Sequence, residues 1–116
     1  MTVSRWDADT AVEQLYATHY RRLVRLAVLL VRDVEPQAPT HVLVVPRRHE
    51  PDAASLAAAA PTELVDLVEA ASAVAEQEGL GEGYRMVFNT GPAAHQTVFH
   101  AHLHVLGGRS MGWPPG

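Results

Sequence analysis

The sequence predicts an α+β fold built on an antiparallel sheet. The chain has 116 residues, which is the usual size of a single domain. About four short runs have strand character and two segments have helical periodicity, and these elements do not alternate regularly. Hydrophobic residues make up 47% of the chain and charged residues 19%, the balance of a compact domain. We therefore expect residues 1–116 to form one domain with a single core.

The first element is predicted as an amphipathic helix that starts at Asp9 and extends to about Leu30. Its apolar side chains recur near a period of 3.6 residues: Val12, Leu15, Tyr16, Tyr20, Leu23, Val24 and Ala27. The apolar run over residues 26–31 is equally acceptable as a buried strand, because a short run does not distinguish the two.

The middle of the chain predicts a strand and a helix. Residues 41–45 are rich in β-branched side chains and are followed by Pro46, so they favour a strand. An alanine-rich helical turn is expected between Pro51 and Pro61. Residues 62–78 form the clearest helix, with an apolar stripe and with Gly79 placed to end it.

The last third predicts two more strands, at residues 84–89 and 98–106, joined by a loop over residues 90–96. Side chains alternate along a strand, so His100, His102 and His104 are expected on one face at spacings of about 6–7 Å. Three interpretations of this face compete. It is a solvated set of histidines, a zinc site completed by His49 or His41, or a histidine nucleophile flanked by acid–base partners. Spacing alone does not choose between the last two.

Composition excludes several classes. The chain has no cysteine, which removes disulfide scaffolds, thiolate metal sites and cysteine catalysis. The net charge of −4 does not favour nucleic acid. The longest apolar run is too short to span a membrane, and the first ten residues do not resemble a signal peptide, so we expect a cytoplasmic protein without a membrane partner.

Residues 100–106, HAHLHVL, resemble the histidine-triad signature of three histidines alternating with apolar residues. The chain continues as Gly-Gly-Arg and ends in Trp-Pro-Pro-Gly, which is similar to the Hint branch of histidine-triad (HIT) nucleotide-binding proteins. Further matches upstream extend the resemblance over about residues 28–116. It implies a HIT-like fold, with an antiparallel sheet of four to five strands and a central long helix over residues 62–78.

The resemblance also implies a reaction, the hydrolysis of nucleoside 5′-phosphoramidates or related conjugates at the α-phosphorus. His102 matches the nucleophile, which forms a nucleotidyl-histidine intermediate while its other nitrogen donates to the carbonyl of His100. His104 matches the residue beside the phosphate and leaving group, and His49 and His100 match the remaining pocket histidines. No metal or other cofactor is implied.

The resemblance extends to binding residues and partners. The positions expected to contact the nucleotide or its phosphate are Asn89, Gln96, Thr97, Asp33, Val34 and Trp113. Asp33 matches the ribose-binding carboxylate, and Trp113 matches a tail aromatic that approaches the site across a dimer interface. The implied partners are a purine nucleoside monophosphate, its phosphoramidate conjugates and a second copy of the chain. That copy would join through the helix over residues 62–78 and the strand near Tyr84.

The N-terminal part departs from the family. The usual Cys-Ile-Phe-Cys-x-Ile segment, which helps to build the nucleobase pocket, is missing. Residues 7–33 instead resemble the first helix of an extracytoplasmic-function sigma factor, so the chain looks like a chimera of a helical segment, 1–27, and a HIT body, 28–116. We expect this atypical helix to cover about residues 9–25 and the strand over residues 28–34 to persist, because the sheet needs its hydrogen bonds.

Two consequences follow from this departure. One alternative function is a nucleotide-binding or interaction module with weak or no catalysis. RNA polymerase is not an expected partner, because a single helix lacks the rest of the sigma module and the chain is acidic. Two single residues also differ from the pattern: threonine replaces serine at Thr97, and histidine replaces glycine at His95.

Overall fold

The computed structural model describes residues 28–116. Four antiparallel strands form one sheet in the order β1-β2-β4-β3. The strands are β1 (Val28–Arg32), β2 (Thr40–Pro46), β3 (Tyr84–Val87) and β4 (Leu103–Gly107). Two helices, α1 (Ala53–Ala59) and α2 (Pro61–Gln77), connect β2 to β3, and a 3-10 turn covers Pro92–Ala94. The predicted α+β class is confirmed.

The helices begin and end at residues with local capping signals. The side chain of Asp52 accepts a hydrogen bond of 2.8 Å from the Ser55 amide and caps α1. Pro61 occupies the first turn of α2, where its missing N–H costs nothing. Gly79 follows the end of α2 with a φ of +71°, a conformation that favours glycine. The predicted helix over residues 62–78 therefore agrees with α2 to within one residue at each end.

The two faces of the sheet have different roles. Helix α2 packs against β2 and β4, and the cross-strand pairs Val42–Val105 and Val44–Leu103 are buried beneath it. Alternation then places the intervening residues, among them His41 and His104, on the opposite face. One face of the sheet thus forms the core, and the other is available for a site.

Strand β1 resolves the ambiguity between helix and strand in the described part of the chain. Val28, Leu29 and Leu30 are buried and pair with β2, and the Asp33 amide donates to the His41 carbonyl at 2.8 Å. Asp33 is therefore positioned directly after β1, as the expected strand requires. The predicted helix over residues 9–25 lies outside the described residues.

The prediction of one strand over residues 98–106 is wrong in its first half, since β4 begins only at Leu103. Upstream of that residue the chain leaves the sheet, and the Ala101 amide donates to the carbonyl of Glu50 at 2.8 Å, in the segment after β2. His100 and His102 consequently lie before the strand, and only His104 is on it. Strand β3 is also shorter than expected, ending at Val87 rather than at residue 89.

Within residues 28–116, no helix is both long enough and apolar enough to cross a membrane.

Candidate active site

His102 is held in a single tautomer by its own backbone neighbourhood. Its Nδ1 lies 2.7 Å from the carbonyl oxygen of His100. A carbonyl can only accept, so Nδ1 carries the proton and Nε2 keeps a free lone pair. The side chain is partly exposed, and its ring centroid lies 5.0 Å from that of His104. A neutral imidazole with one nitrogen fixed and the other free is suited to nucleophilic attack.

His41 and His104 form a pair on the open face of the sheet, which we call the sheet pair. His41 Nε2 lies 2.9 Å from His104 Nδ1, and the Gln37 amide donates to His41 Nδ1 at 3.0 Å. Because His41 Nδ1 accepts from this amide, the proton of His41 is on Nε2 and points to His104. His104 Nδ1 therefore accepts, and its own proton is on Nε2, the nitrogen that points away from the pair.

Burial governs the proton affinity of the sheet pair. Desolvation is the largest cause that lowers the pKa of His104 to about 4, and the nearby His102 and His41 lower it further. Desolvation also lowers the pKa of His41. Asp33 opposes both shifts, since its carboxylate lies 3.5 Å from His41 Nε2. The other carboxylate oxygen of Asp33 accepts the Glu35 amide at 2.8 Å, which fixes the side chain.

His49 and His100 form a second pair, which we call the loop pair because neither residue lies on a strand. Their Nδ1 atoms are 2.9 Å apart, and His100 Nε2 lies 2.7 Å from the carbonyl oxygen of Pro46. The carbonyl requires the proton of His100 to be on Nε2, so His100 Nδ1 accepts from His49 Nδ1–H. In the neutral pair, His49 Nε2 is left with a free lone pair.

Gln96 organises the loop that precedes the histidines. It is only 4% exposed, its Oε1 accepts the Gly91 amide at 2.8 Å, and its Nε2 donates to the carbonyls of Pro51 and Val98 at 2.7 and 3.1 Å. The side chain thus ties this loop to the segment after β2. Its predicted contact with a nucleotide stays a prediction. Beside it, His95 has a left-handed φ of +64°, which is compatible with the glycine that the family places there.

The structure brings together Asp33, the loop pair, the sheet pair and His102. Within residues 28–116, no hydrogen bond joins these groups to the side chains of Asn89, Thr97 or Trp113, and Val34 is exposed. Trp113 is 84% exposed and follows Gly112, whose carbonyl accepts from Arg85 at 2.8 Å. The roles expected of these four residues stay predictions.

The sequence predicts His41 only as an alternative zinc ligand, whereas the structure places it in a hydrogen bond with His104. Its role follows from the pairing of β2 with β4, in which Leu43 lies opposite His104 and His41 is two residues away on the same face. A long-range register of this kind is not visible in a linear pattern. The only sequence signal was a histidine inside an otherwise apolar predicted strand.

The sheet pair and Asp33 also offer three metal-ligand atoms that lie within 4.8 Å of one another. Two nitrogens bound to one tetrahedral zinc ion are about 3.4 Å apart, given Zn–N bonds of about 2.0–2.1 Å. The two nitrogens here are 2.9 Å apart, the distance of a hydrogen bond. A shared proton therefore fits between them better than a metal ion does.

Comparisons with known proteins agree with this geometry. The HIT domain model matches residues 25–111. An uncharacterised HIT-like protein of Synechococcus elongatus is 56% identical over 90 residues, 76% of this chain and 77% of the relative. The Arabidopsis thaliana protein called adenylylsulfatase HINT1 is 44% identical over 93 residues, 77% of this chain and 62% of the relative. The crystal structure of a HIT family hydrolase from Legionella pneumophila aligns with a TM-score of 0.74 and 44% identity, covering 78% of this chain and 81% of that chain. The chain therefore belongs to the HIT domain family, whose relatives include hydrolases.

Proposed function

We propose that this protein hydrolyses nucleoside 5′-phosphoramidates or related nucleotidyl conjugates at the α-phosphorus. The observation that supports this most directly is the 2.7 Å hydrogen bond from His102 Nδ1 to the His100 carbonyl, which leaves Nε2 free to attack. The relative called an adenylylsulfatase supports the same reaction class, because adenylyl sulfate is also a nucleotide conjugated through its α-phosphorus.

The reaction has two displacements. His102 Nε2 forms a bond to the α-phosphorus, the bond from phosphorus to the leaving group breaks, and the leaving group takes the electron pair. The His100 carbonyl stabilises the positive charge of the nucleotidyl-imidazole through the Nδ1 proton. Water then attacks the phosphorus, the bond from phosphorus to Nε2 breaks, and the nucleoside monophosphate leaves. His104 Nε2–H is a donor for the phosphoryl oxygens.

The binding residues follow the same proposal. Asp33 accepts hydrogen bonds from the ribose hydroxyls of a purine nucleotide, Val34 lies towards the base, and Asn89 and Thr97 contact the phosphate. The chain forms a homodimer through the free edge of β3, where Tyr84 and Met86 are exposed, and Trp113 of each copy approaches the site of the other. Val65 and Val68 on α2 add further exposed apolar surface.

Turnover of a fluorogenic adenosine 5′-phosphoramidate by the parent and by His102→Ala tests the proposal. We expect the substitution to lower kcat/KM by about 1,000-fold or more, because the nucleophile is lost. His95→Gly is the matched control: it removes an exposed histidine outside the hydrogen-bonded network at a left-handed position, and it should retain activity. Equal turnover by His102→Ala and the parent would contradict the proposal.

Calorimetry with adenosine and guanosine monophosphates distinguishes the enzyme from the alternative, a nucleotide-binding or interaction module with weak or no catalysis. Nucleotide binding by a folded parent that has no turnover would indicate a binding module rather than an enzyme. The missing N-terminal base-pocket segment would then be the reason, because catalysis depends on accurate positioning of the phosphorus.

A further inference from the structure

We propose that the two histidine pairs have opposite roles in the reaction. His104 is a permanently neutral hydrogen-bond donor to the phosphoryl group, and His49 is the residue that exchanges a proton with the leaving group and with the hydrolytic water. The proposal rests on the function proposed above. It is carried by the direction of the hydrogen bonds in each pair, which the backbone sets.

The four ring nitrogens of the sheet pair bind two protons without breaking a hydrogen bond. One lies between His41 Nε2 and His104 Nδ1, and the other is on His104 Nε2. The fourth nitrogen, His41 Nδ1, already accepts the Gln37 amide at 3.0 Å. A third proton would break this bond in a place where His41 is only 6% exposed. Two protons on two imidazoles make a neutral pair, so His104 keeps its outward N–H without becoming a cation.

The outward nitrogen of the loop pair, His49 Nε2, is an acceptor, whereas that of the sheet pair, His104 Nε2, is a donor. His100 Nε2–H is bonded to the Pro46 carbonyl, and His49 and His100 share one proton between their Nδ1 atoms. The fourth nitrogen, His49 Nε2, has no hydrogen-bond partner within residues 28–116, and His49 is exposed. A third proton can therefore bind at His49 Nε2 without breaking any bond, and the pair then carries one positive charge.

The charged groups around His49 are compatible with this exchange. Arg47 and Arg48 precede it, Glu50 follows it, and Glu63 of α2 lies behind the same segment. Arg48 is engaged with Glu50 at 3.2 Å and approaches Glu63 at 3.9 Å, so its charge is partly balanced. From the other side, His49 meets His100, which carries no charge while the shared proton lies on His49.

The protons of the reaction then balance. As His102 Nε2 bonds to phosphorus and the phosphorus–nitrogen bond breaks, the leaving nitrogen takes the electron pair and the proton of His49 Nε2–H. The loop pair becomes neutral. In the second displacement, water bonds to phosphorus and gives one proton back to His49 Nε2, while the electron pair of the phosphorus–His102 bond returns to Nε2. Throughout both steps, His104 donates one hydrogen bond and keeps its proton.

Each of two variants is measured with each of two substrates, which tests the separate roles of His49 and His104. His49→Gln and His104→Gln each keep an amide N–H donor but cannot exchange a proton. Release of the leaving group is measured in a single turnover, with an adenosine 5′-phosphoramidate of an alkylamine and with adenylyl sulfate, whose leaving sulfate needs no proton. We expect His49→Gln to slow phosphoramidate cleavage about 100-fold or more, the size of a general-acid effect, and to change adenylyl sulfate cleavage only a few-fold.

His104→Gln should slow both substrates by a similar factor of about ten or less, because the amide replaces the neutral donor. The reversed pattern, in which His104→Gln and not His49→Gln is selective for the amine leaving group, would overturn the proposal. A parent that cleaves neither substrate refutes the proposed function instead, and the next measurement still tests the proton positions.

Long-range ¹H–¹⁵N NMR of the imidazoles on the full chain reports each tautomer without turnover. At about pH 8 we expect His41 and His104 to carry their protons on Nε2, and His49 to carry its proton on Nδ1 with Nε2 as the free nitrogen. A His104 proton on Nδ1, or a His49 proton on Nε2 with Nδ1 accepting, would overturn the proposal whether or not the parent is active. His49→Gln should leave the sheet-pair signals in place.

Discussion

Strand β4 and the segment that leads into it, residues 96–102, differ in backbone structure: apolar and polar residues alternate without interruption from Phe99 to Val105, yet only β4 is in the sheet. In β4, Leu103 and Val105 pair with β2 and are buried. In the lead segment, the backbone is held by the Ala101–Glu50 bond and by the side chain of Gln96. Because the lead segment has left the sheet, the His100 carbonyl is available to His102 Nδ1 rather than to a neighbouring strand. His102, the proposed nucleophile, thus depends on the irregular half, and His104, the proposed neutral donor, on the regular half.

Outside the histidines, the largest effect is expected from a change in the lead segment at Gln96. Gln96→Leu removes the hydrogen bonds to Gly91, Pro51 and Val98, so the loop before His102 loses these contacts. We expect kcat/KM to fall about 100-fold, because small displacements at a reacting centre have effects of this size. Steady-state turnover of the phosphoramidate measures it.

Gln77→Leu is the matched control for this change, since Gln77 is exposed at the end of α2. Both variants should unfold cooperatively in urea. Activity of Gln96→Leu within a few-fold of the parent would mean that the lead segment holds its shape without this amide.

Acidification should lower the free energy of unfolding through His104, the histidine that lies on β4. The pKa of His104 is lowered from 6.5 to about 4 in the folded protein, mainly by burial, so the unfolded chain binds the proton first. The free energy of unfolding should then fall as the pH drops from about 6.5 to 4, by about 2 kcal/mol after allowance for solvent screening, and this contribution is absent above 6.5. Urea titrations at several pH values measure it, and His104→Gln should flatten the slope. Identical slopes for parent and variant would exclude His104 as the cause.

A milder effect is expected at the far end of β4. A Cβ at Gly107 would lie 2.6 Å from Leu80 Cδ1, so Gly107→Ala must displace a buried leucine. We expect a loss of about 1–2 kcal/mol in unfolding free energy with little change in kcat. Gly112→Ala is the control, because a Cβ there meets no atom within 4 Å. A loss of kcat without a loss of stability would show that this end of the strand reaches the site.

The smallest effect is expected from metal removal. A proton fits the 2.9 Å contact of the sheet pair better than zinc does, so dialysis against a chelator should leave turnover unchanged. Elemental analysis of the same samples is the check. Stoichiometric zinc together with loss of activity would instead favour the zinc interpretation of the histidines.

Local signals explain which parts of this fold could be predicted. Helix α2 has an apolar stripe, a proline at its start and a glycine after its end, so its bounds follow from neighbouring residues. The last strand starts at Leu103 instead of residue 98, where the chain before it is bound to Glu50, about fifty residues upstream, and no periodicity records that contact. His41 was underestimated for the same reason. The motif identifies His100, His102 and His104. The tautomer of His100 depends on the Pro46 carbonyl, and that of His104 depends, through His41, on the Gln37 amide, and alternation reveals neither contact.

The exposure of Trp113 gives the protein an optical probe. The chain has two tryptophans, and Trp113, with 84% of its surface in solvent, should fluoresce with the red-shifted emission of a hydrated indole. In a Trp6→Phe background, this emission would come from the C-terminal tail alone. A blue shift on raising the protein concentration would then report that the tail has become covered by a second copy, and a shift only on adding nucleotide would report contact with a ligand.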